Sequence, residues 1–516
     1  MASTDSVMPS LSSYLSLIRK AAFQSPRPSA APTLILGNPS ADLDSFVSAI
    51  LLSYFYNCNS QSQDRQRRQQ HLSPGYIPIL NLPTVASSDL WRLRPEFGVA
   101  IRLALGHSTA EIDVCEDHAD QSKVPELEQV VTIADVKKHR DSNLIPARLF
   151  SNSDKDSNEG QQQRLLLVDH NAPSIPGLSE SAIRSRFTVM GVIDHHVDED
   201  YVSKKPEDTN PRIITTGIGS CTSLVVQHLR DEGMWPSPDN FSKDSKSSHK
   251  NSSEGDKEGA GQLSTEKPLE QLAKLALAPI LIDTANLLAT GDKCSDTDRC
   301  AVRFLESFIL APAAHSNLST TTNDAQGSHW DRDSFYSCIS TTKTNSLDLL
   351  TTQETFDRDY KSWSEAQVHS QAHDKSAPQI EIGIASLVRP LSWLVTHGPA
   401  PSTVKSFVAE MRTFATAEER RLGVFMLLTR REDGGKELVL AVLDDAGRGL
   451  VHDFETKAGP ELQLRAWATK KGDWEASVPQ ELRANFVDAA VWDMRDTSKS
   501  RKQVGPLVRQ CVRELK

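Results

Sequence analysis

The sequence predicts an α/β protein of two domains. The larger first domain is built on a parallel sheet with helices on both faces, and a smaller α/β domain follows it. Three observations carry this. Apolar runs in the first half, such as TLIL, RLLLV and FTVMGVI, are largely continuous, the pattern of strands buried on both faces. They alternate with stretches of helical periodicity, the order that builds a parallel sheet. Four polar stretches (Asn59–His71, Ser151–Gln163, Pro236–Pro268 and His315–Ser334) interrupt the pattern, and the last separates two chemically different halves.

Taken in order, Leu11, Tyr14, Leu15 and Ile18 share one face of a short helix after Ser10. TLILGN is a strand, followed by the helix SADLDSFVSAILLSYFY, whose Phe46, Val47, Ile50, Leu51 and Tyr54 form an apolar stripe. VVTIAD, RLLLVDH and FTVMGVIDHH supply further strand ends, and RIITTGIGS leads through a glycine-rich turn into the helix CTSLVVQHLR. The first domain is placed at 1–314, with an insertion at 236–268 too polar to order itself, and a linker at 315–334. The second domain, 335–516, has strand-like runs in SLVRPLSWLV, RRLGVFMLLTR and KELVLAVLDD, with helices around Pro401–Ala415 and Gly505–Leu515.

Length and composition narrow the function classes. A chain of 516 residues with 38% hydrophobic content suits two or three domains, and a net charge of -11 argues against wholesale nucleic-acid binding. Seven cysteines without a CxxC point to a reducing compartment. No apolar run approaches the roughly 18 residues of a membrane span. The start lacks a hydrophobic signal core, and Arg19 and Lys20 leave a mitochondrial leader as the lesser alternative to a cytoplasmic, monomeric protein.

In a doubly covered parallel sheet, ligands gather outside the carboxyl ends of the strands. There the sequence sets Asn38, Asp42, Asp44, Asp169, His170, Asp194, His195 and His196, with Asp283 at the end of LALAPILID. Alone, each has an ordinary explanation: Asp42 or Ser40 can cap the helix beginning near Asp44, and His170 can be a surface group. Their recurrence at one sheet edge points to a divalent metal site, because mixed carboxylates and imidazoles suit Mn²⁺, Mg²⁺ or a similar ion. Several carboxylates with more than one histidine leave open whether one ion is held or two.

GNPSADLDS, LVDHN, GVIDHH and LIDT resemble, in order, the four metal-binding motifs of the DHH phosphoesterase superfamily. SKSRKQVGPLV resembles the Ser-Arg-Lys signature of the DHHA2 domain found in its exopolyphosphatase and family II pyrophosphatase branch. The likeness covers nearly the whole chain apart from the polar stretches. It implies that Asn38 and Asp42 attend a first metal, that Asp44, His195 and Asp283 attend a second, and that Asp169 bridges both. It further implies that His196 faces the substrate phosphate, that Asp194 orients the histidine pair, and that His170 has a supporting role. Asn38 replaces the histidine usual in the pyrophosphatase pattern, which points to the exopolyphosphatase type. The implied active site lies in the cleft between the domains.

Near the carboxyl end, Lys499, Arg501 and Lys502 precede the helix expected from Pro506, so matching to a helix dipole does not explain them. Arg501 and Lys502 are expected to bind phosphate, with Lys361 in DRDYKSW and Arg389 in SLVRP as further candidates and Arg430 and Arg431 behind them. Gly217, Gly219 and Ser220 open a helix where N–H groups can meet an anion or simply form a capped turn. The expected activity is two-metal hydrolysis of terminal phosphoanhydride bonds in inorganic polyphosphate, with Mn²⁺ or Mg²⁺, or Co²⁺, as cofactor. Inorganic pyrophosphatase or a broader nucleotide phosphohydrolase is the nearest alternative, and a polyphosphate-binding scaffold the alternative of another class.

Overall fold

The computed structural model describes residues 8–24, 31–59, 74–112, 124–139, 144–151, 162–236, 266–310, 330–367, 379–397, 403–431, 433–467 and 473–515. The expected insertion at 236–268 and linker at 315–334 lie outside these apart from their ends. Two compact units result, Met1–Lys343 and Thr344–Lys516.

The first unit contains α1 (Leu11–Gln24), β1 (Thr33–Leu36), α2 (Leu43–Cys58), β2 (Tyr76–Ile79), α3 (Pro95–Ala104), β3 (Gln163–Val168), β4 (Phe187–Asp194), β5 (Arg212–Ile214), α4 (Cys221–Asp231), α5 (Glu266–Asp283) and α6 (Asp296–Leu310). Its sheet has the order β2-β1-β3-β4-β5, and every pair is parallel. Leu34, Ile35, Leu36, Leu167, Val168, Val192 and Ile193 are fully buried, as strands covered on both faces must be. All strands point the same way, so the segments after β1, β3, β4 and β5 emerge at one edge.

One expected strand is absent. In VVTIAD the chain makes only an isolated bridge between Thr132 and Leu80, then a short helix, Ile133–Lys138. The Thr132 hydroxyl accepts from Asp135 N–H, and the Asp135 carboxylate accepts from Thr132 N–H, a reciprocal cap that outweighs the β-branched run.

The helix α7 (Arg332–Asn345) shows why the first unit extends past the residue 335 expected to open the second domain. Its Phe335, Cys338 and Ile339 are buried in the first unit's core.

The second unit carries β6 (Tyr360–Ala366), β7 (Gln379–Ser386), α8 (Val404–Thr416), β8 (Val424–Arg430), β9 (Lys436–Val442), α9 (Leu450–Lys457), β10 (Leu464–Ala466), α10 (Asp473–Asn485), β11 (Asp488–Met494) and α11 (Arg501–Glu514). They form a six-stranded sheet, order β10-β11-β9-β8-β7-β6, antiparallel except between β7 and β8. Alternation along β8 sends Phe425 and Leu427 to one core with Phe407 and Leu482, and Val424 and Met426 to another with Phe454 and Val508. SLVRPLSWLV is not a strand. β7 ends at Ser386, and a helix, Leu391–His397, starts directly after Pro390.

α11 also begins earlier than expected. Ser500 caps it in a capping box with Gln503, so Arg501 and Lys502 are its first residues and Pro506 lies inside it. Among the described residues no helix is long and apolar enough to cross a membrane.

Candidate metal centre

The acids and imidazoles at the sheet edge converge. After β1 the chain turns at Gly37, where a Cβ would sit 2.6 Å from Ser45 Cβ. That close approach lets Ser45 Oγ donate to Asp169 Oδ2 at 2.7 Å while accepting from Asn38 N–H at 3.0 Å. Asn38 Nδ2 also donates to Asp169 Oδ2, and Asn38 Oδ1 accepts from Ser40 N–H at 2.9 Å. Asn38 thus reaches the site with its amide NH₂ toward the aspartate. Asp42 caps α2, accepting from Ser45 N–H at 3.1 Å.

Asp169 follows β3 in the left-handed conformation, φ 62°, a region that aspartate tolerates better than most residues. Its second oxygen, Oδ1, lies 3.1 Å from His195 Nε2 and 3.8 Å from His196 Nδ1. Its two oxygens therefore face two different groups of side chains. Asp169, His195 and His196 offer ligand atoms all within 4.8 Å of one another.

Both histidines are oriented by fixed partners. His195 Nδ1 donates to the Ile218 carbonyl at 3.0 Å, because a carbonyl can only accept. Its Nε2 then points at Asp169 and, at 3.9 Å, at Asp44 Oδ2. His196 Nδ1 donates to Asp194 Oδ1 at 2.7 Å, and the same oxygen accepts His195 N–H at 2.8 Å. Asn171 Nδ2 donates to Asp194 Oδ2 at 2.6 Å. Burial pushes the Asp194 carboxyl up, but His196, His195 and Asn171 together outweigh it and hold it well below the usual carboxylate range. His170, expected to support the site, is buried with Nδ1 on the Val168 carbonyl at 3.0 Å.

This donor set fits a divalent cation. His195 Nε2, 3.1 Å from Asp169 Oδ1 and 3.9 Å from Asp44 Oδ2, carries a proton toward these carboxylates or shares a cation with them. The field is negative at this edge: burial first, and then Asp44, Asp169 and Asp194, push the Cys221 thiol well above its ordinary value. Carboxylate and imidazole donors suit Mn²⁺ or Mg²⁺.

Asp44 and Ser220 differ from expectation in their surroundings. Asp44 Oδ1 accepts from Ser220 Oγ (2.8 Å), Thr222 N–H (2.8 Å) and Thr222 Oγ1 (2.7 Å), and Oδ2 accepts from Cys221 N–H (2.6 Å). The N–H groups at the start of α4, and the Ser220 hydroxyl expected to touch substrate, are thus turned to protein carboxylates rather than to a bound anion. Asp283 is the last residue of α5 and half-buried, and it is not one of the three residues whose ligand atoms lie within 4.8 Å of one another. Sequence reasoning missed Ser45, Asn171 and the Ile218 carbonyl. Ser45, the last residue of GNPSADLDS, and Asn171, the last of LVDHN, carried a local signal, and the Ile218 carbonyl did not.

In the second unit the basic candidates meet acids. Arg501 donates from Nη2 to Asp359 Oδ1 at 2.7 Å and from Nη1 to the Asp359 carbonyl at 2.5 Å, joining the SRK and DRDYK segments. Arg389 pairs with Asp348 at 3.0 Å, and Arg431 with Asp493 at 3.0 Å and Asp433 at 2.7 Å. Arg509 and Arg513 share the buried Glu365. Lys502 and Arg430 are exposed, and Lys361 is half-buried on β6.

Two family models match: the DHH family, N-terminal domain, over residues 32–248, and the DHHA2 domain over 339–511. A Schizosaccharomyces pombe protein described as "Putative exopolyphosphatase" is 26% identical over 492 residues, which is 94% of this chain and 93% of that protein. The crystal structure of an exopolyphosphatase-related protein from Bacteroides fragilis is similar at a TM-score of 0.34 and 11% identity, over 94% of this chain and 92% of that one. The chain carries a DHH-family N-terminal domain followed by a DHHA2 domain.

Proposed function

We propose that the protein is a metal-dependent exopolyphosphatase, which cleaves the terminal phosphoanhydride bond of inorganic polyphosphate and releases orthophosphate one unit at a time. The observation that carries this reading is the disposition of Asp169, with Oδ2 toward Asn38 and Ser45 and Oδ1 toward His195 and His196. Placed between the Asn38–Ser45 turn and the two histidines, this carboxylate would suit a bridging position between two ions, with Oδ2 exchanging its hydrogen bonds from Asn38 and Ser45 for an ion. His195 would hold one ion, with Asp44 and Asp283 as its further candidates, and Asn38 and Asp42 would hold the other once Asn38 Oδ1 and the Asp42 carboxylate exchanged their present hydrogen bonds for it. When bound, divalent ions lower the pKa of the attacking water and offset charge on the phosphate oxygens.

The chain's own residues do the rest. Asp194 stays ionised and fixes the proton on His196 Nδ1, which stabilises the imidazolium form and lets Nε2–H donate to a phosphate oxygen. Water oxygen bonds to the terminal phosphorus as the bridging P–O bond breaks, and the shortened chain leaves with that oxygen. The leaving group is itself a phosphate, so positive groups matter more than a dedicated acid. Arg501, Lys502 and Lys361 bind further phosphates of the chain, and Arg389 is the weaker candidate because Asp348 holds it in both oxygens' reach. Asn38, where pyrophosphatases of this branch have histidine, favours polyphosphate over pyrophosphate.

Purified full-length protein supplied with Mn²⁺ or Mg²⁺ tests this reading on pyrophosphate, tripolyphosphate and long-chain polyphosphate side by side. Release of orthophosphate from the two longer substrates is expected. Efficient turnover of pyrophosphate with none of polyphosphate overturns the substrate, and no turnover with Mg²⁺, Mn²⁺ or Co²⁺ overturns the activity.

A further inference from the structure

Asp298 lies outside every motif described above, yet its carboxylate is fully buried and receives five hydrogen bonds. Two are local. Ser295 N–H and Oγ donate to Oδ2 at 2.7 and 2.6 Å, and Asp298 N–H donates back to Ser295 Oγ at 3.3 Å, a cap at the start of α6. A helix cap needs no more than this. The other three reach across the fold to one turn: Gly219 N–H (2.9 Å) to Oδ2, and Ser220 N–H (3.3 Å) and Ser223 Oγ (2.7 Å) to Oδ1.

That turn touches the metal centre at several points. The Ile218 carbonyl accepts His195 Nδ1–H and so sets the direction of Nε2. Ser220, Cys221 and Thr222 hold both oxygens of Asp44. A Cβ on Gly219 would lie 2.6 Å from Thr284 Cγ2 and 2.5 Å from the Lys293 carbonyl, so the turn is also pressed against the residue that follows Asp283. Hydrogen bonds to an ionised acceptor are roughly twice as strong as neutral ones, and here they restrain successive residues of a single turn.

We propose that Asp298 is a positioning residue for the metal centre: through the turn Ile218–Ser223 it fixes the direction of the His195 ring and the Asp44 carboxylate, and so sets divalent-ion affinity. This rests on reading His195 and Asp44 as metal ligands. Outer partners of ligating side chains are commonly worth about 10–100-fold in metal affinity. Ser223→Ala removes only the cross-fold hydroxyl and leaves the α6 cap in place. Ser295→Ala weakens the cap and leaves the turn's bonds to Asp298. Asp298→Asn disturbs both, since an amide NH₂ must face converging N–H donors.

Mn²⁺ binding by the full chain, followed by the loss of the free-ion electron paramagnetic resonance signal, separates the possibilities, with Tm and KM for polyphosphate measured alongside. Ser223→Ala and any folded Asp298→Asn are expected to weaken Mn²⁺ binding by about tenfold, with KM unchanged, whereas Ser295→Ala lowers Tm and keeps Mn²⁺ affinity near wild type. Wild-type affinity in Ser223→Ala, or equal weakening in Ser223→Ala and Ser295→Ala, overturns the positioning role alone. A wild-type chain that binds no Mn²⁺ overturns the metal reading beneath it.

Discussion

The acids of the first unit and the bases of the second are managed in opposite ways. At the first unit's sheet edge, Asp44, Asp169 and Asp194 are gathered with His195 against neutral donors, and the imidazole nitrogen points into carboxylates. In the second unit, Arg501 is held by Asp359, Arg431 by Asp493 and Asp433, and Arg509 and Arg513 by Glu365. An excess of buried negative charge raises affinity for a cation. A guanidinium already paired must share its donors before it can hold a phosphate, so part of its attraction for a polyanion is offset by its own carboxylate. Under the proposed reading, the metal end of the reaction would therefore be preorganised more strongly than the phosphate-chain end.

Substitutions in the two regions should differ accordingly. Asp169→Asn removes the charge that both donor groups share and is expected to lower kcat by at least about a thousandfold, roughly 4 kcal/mol of transition-state stabilisation. Steady-state hydrolysis of long-chain polyphosphate checks this, with circular dichroism to show that the fold persists; near-normal kcat would remove Asp169 from the centre. Arg501→Ala should raise KM about tenfold or more, the scale of one charge-assisted hydrogen bond of roughly 1.5–3 kcal/mol, with kcat little changed and longer chains affected most. An equal fall in kcat at saturating substrate would place Arg501 in the chemical step instead. Asn38→His, which supplies an imidazole to the first ion, should keep activity and lower the Mn²⁺ concentration needed for half-maximal rate. A rise in that concentration would show that the amide NH₂ donated to Asp169 matters more than ligation. Smallest of all, replacing residues 237–265 with a short flexible linker should leave kcat/KM near wild type, because SKDSKSSHKNSSEGDKEGAG has little apolar surface with which to support a site. A loss of about a hundredfold in folded protein, roughly 2.7 kcal/mol, would assign that segment to the substrate path.

The parallel sheet was legible because its strands are buried on both faces and so read as continuous apolar runs, and strand direction then placed Asn38, Asp169 and Asp194–His196 at one edge. Where local capping competes with apolar pattern, the pattern misled. Val130, Val131 and Ile133 look like a strand until Thr132 and Asp135 cap each other. Pro506 suggested a helix start, while the Ser500–Gln503 box starts α11 five residues earlier, at Arg501. The choice of partner for a charged group was not legible at all. Nothing in the spacing shows that Arg501 meets Asp359, far away in sequence, or that Asp298, three residues after Ser295, does more than cap its own helix.

The acid–imidazole cluster is proposed to be a divalent-ion centre that serves phosphoanhydride hydrolysis. The direct test is one titration: full-length protein is stripped with a chelator, Mn²⁺ is returned stepwise, and bound ion and orthophosphate release from polyphosphate are measured in the same samples. The expected result is no release from the stripped protein, and activity that rises as two Mn²⁺ bind per chain. Undiminished phosphate release by the stripped protein, or full Mn²⁺ binding with no release, would contradict it.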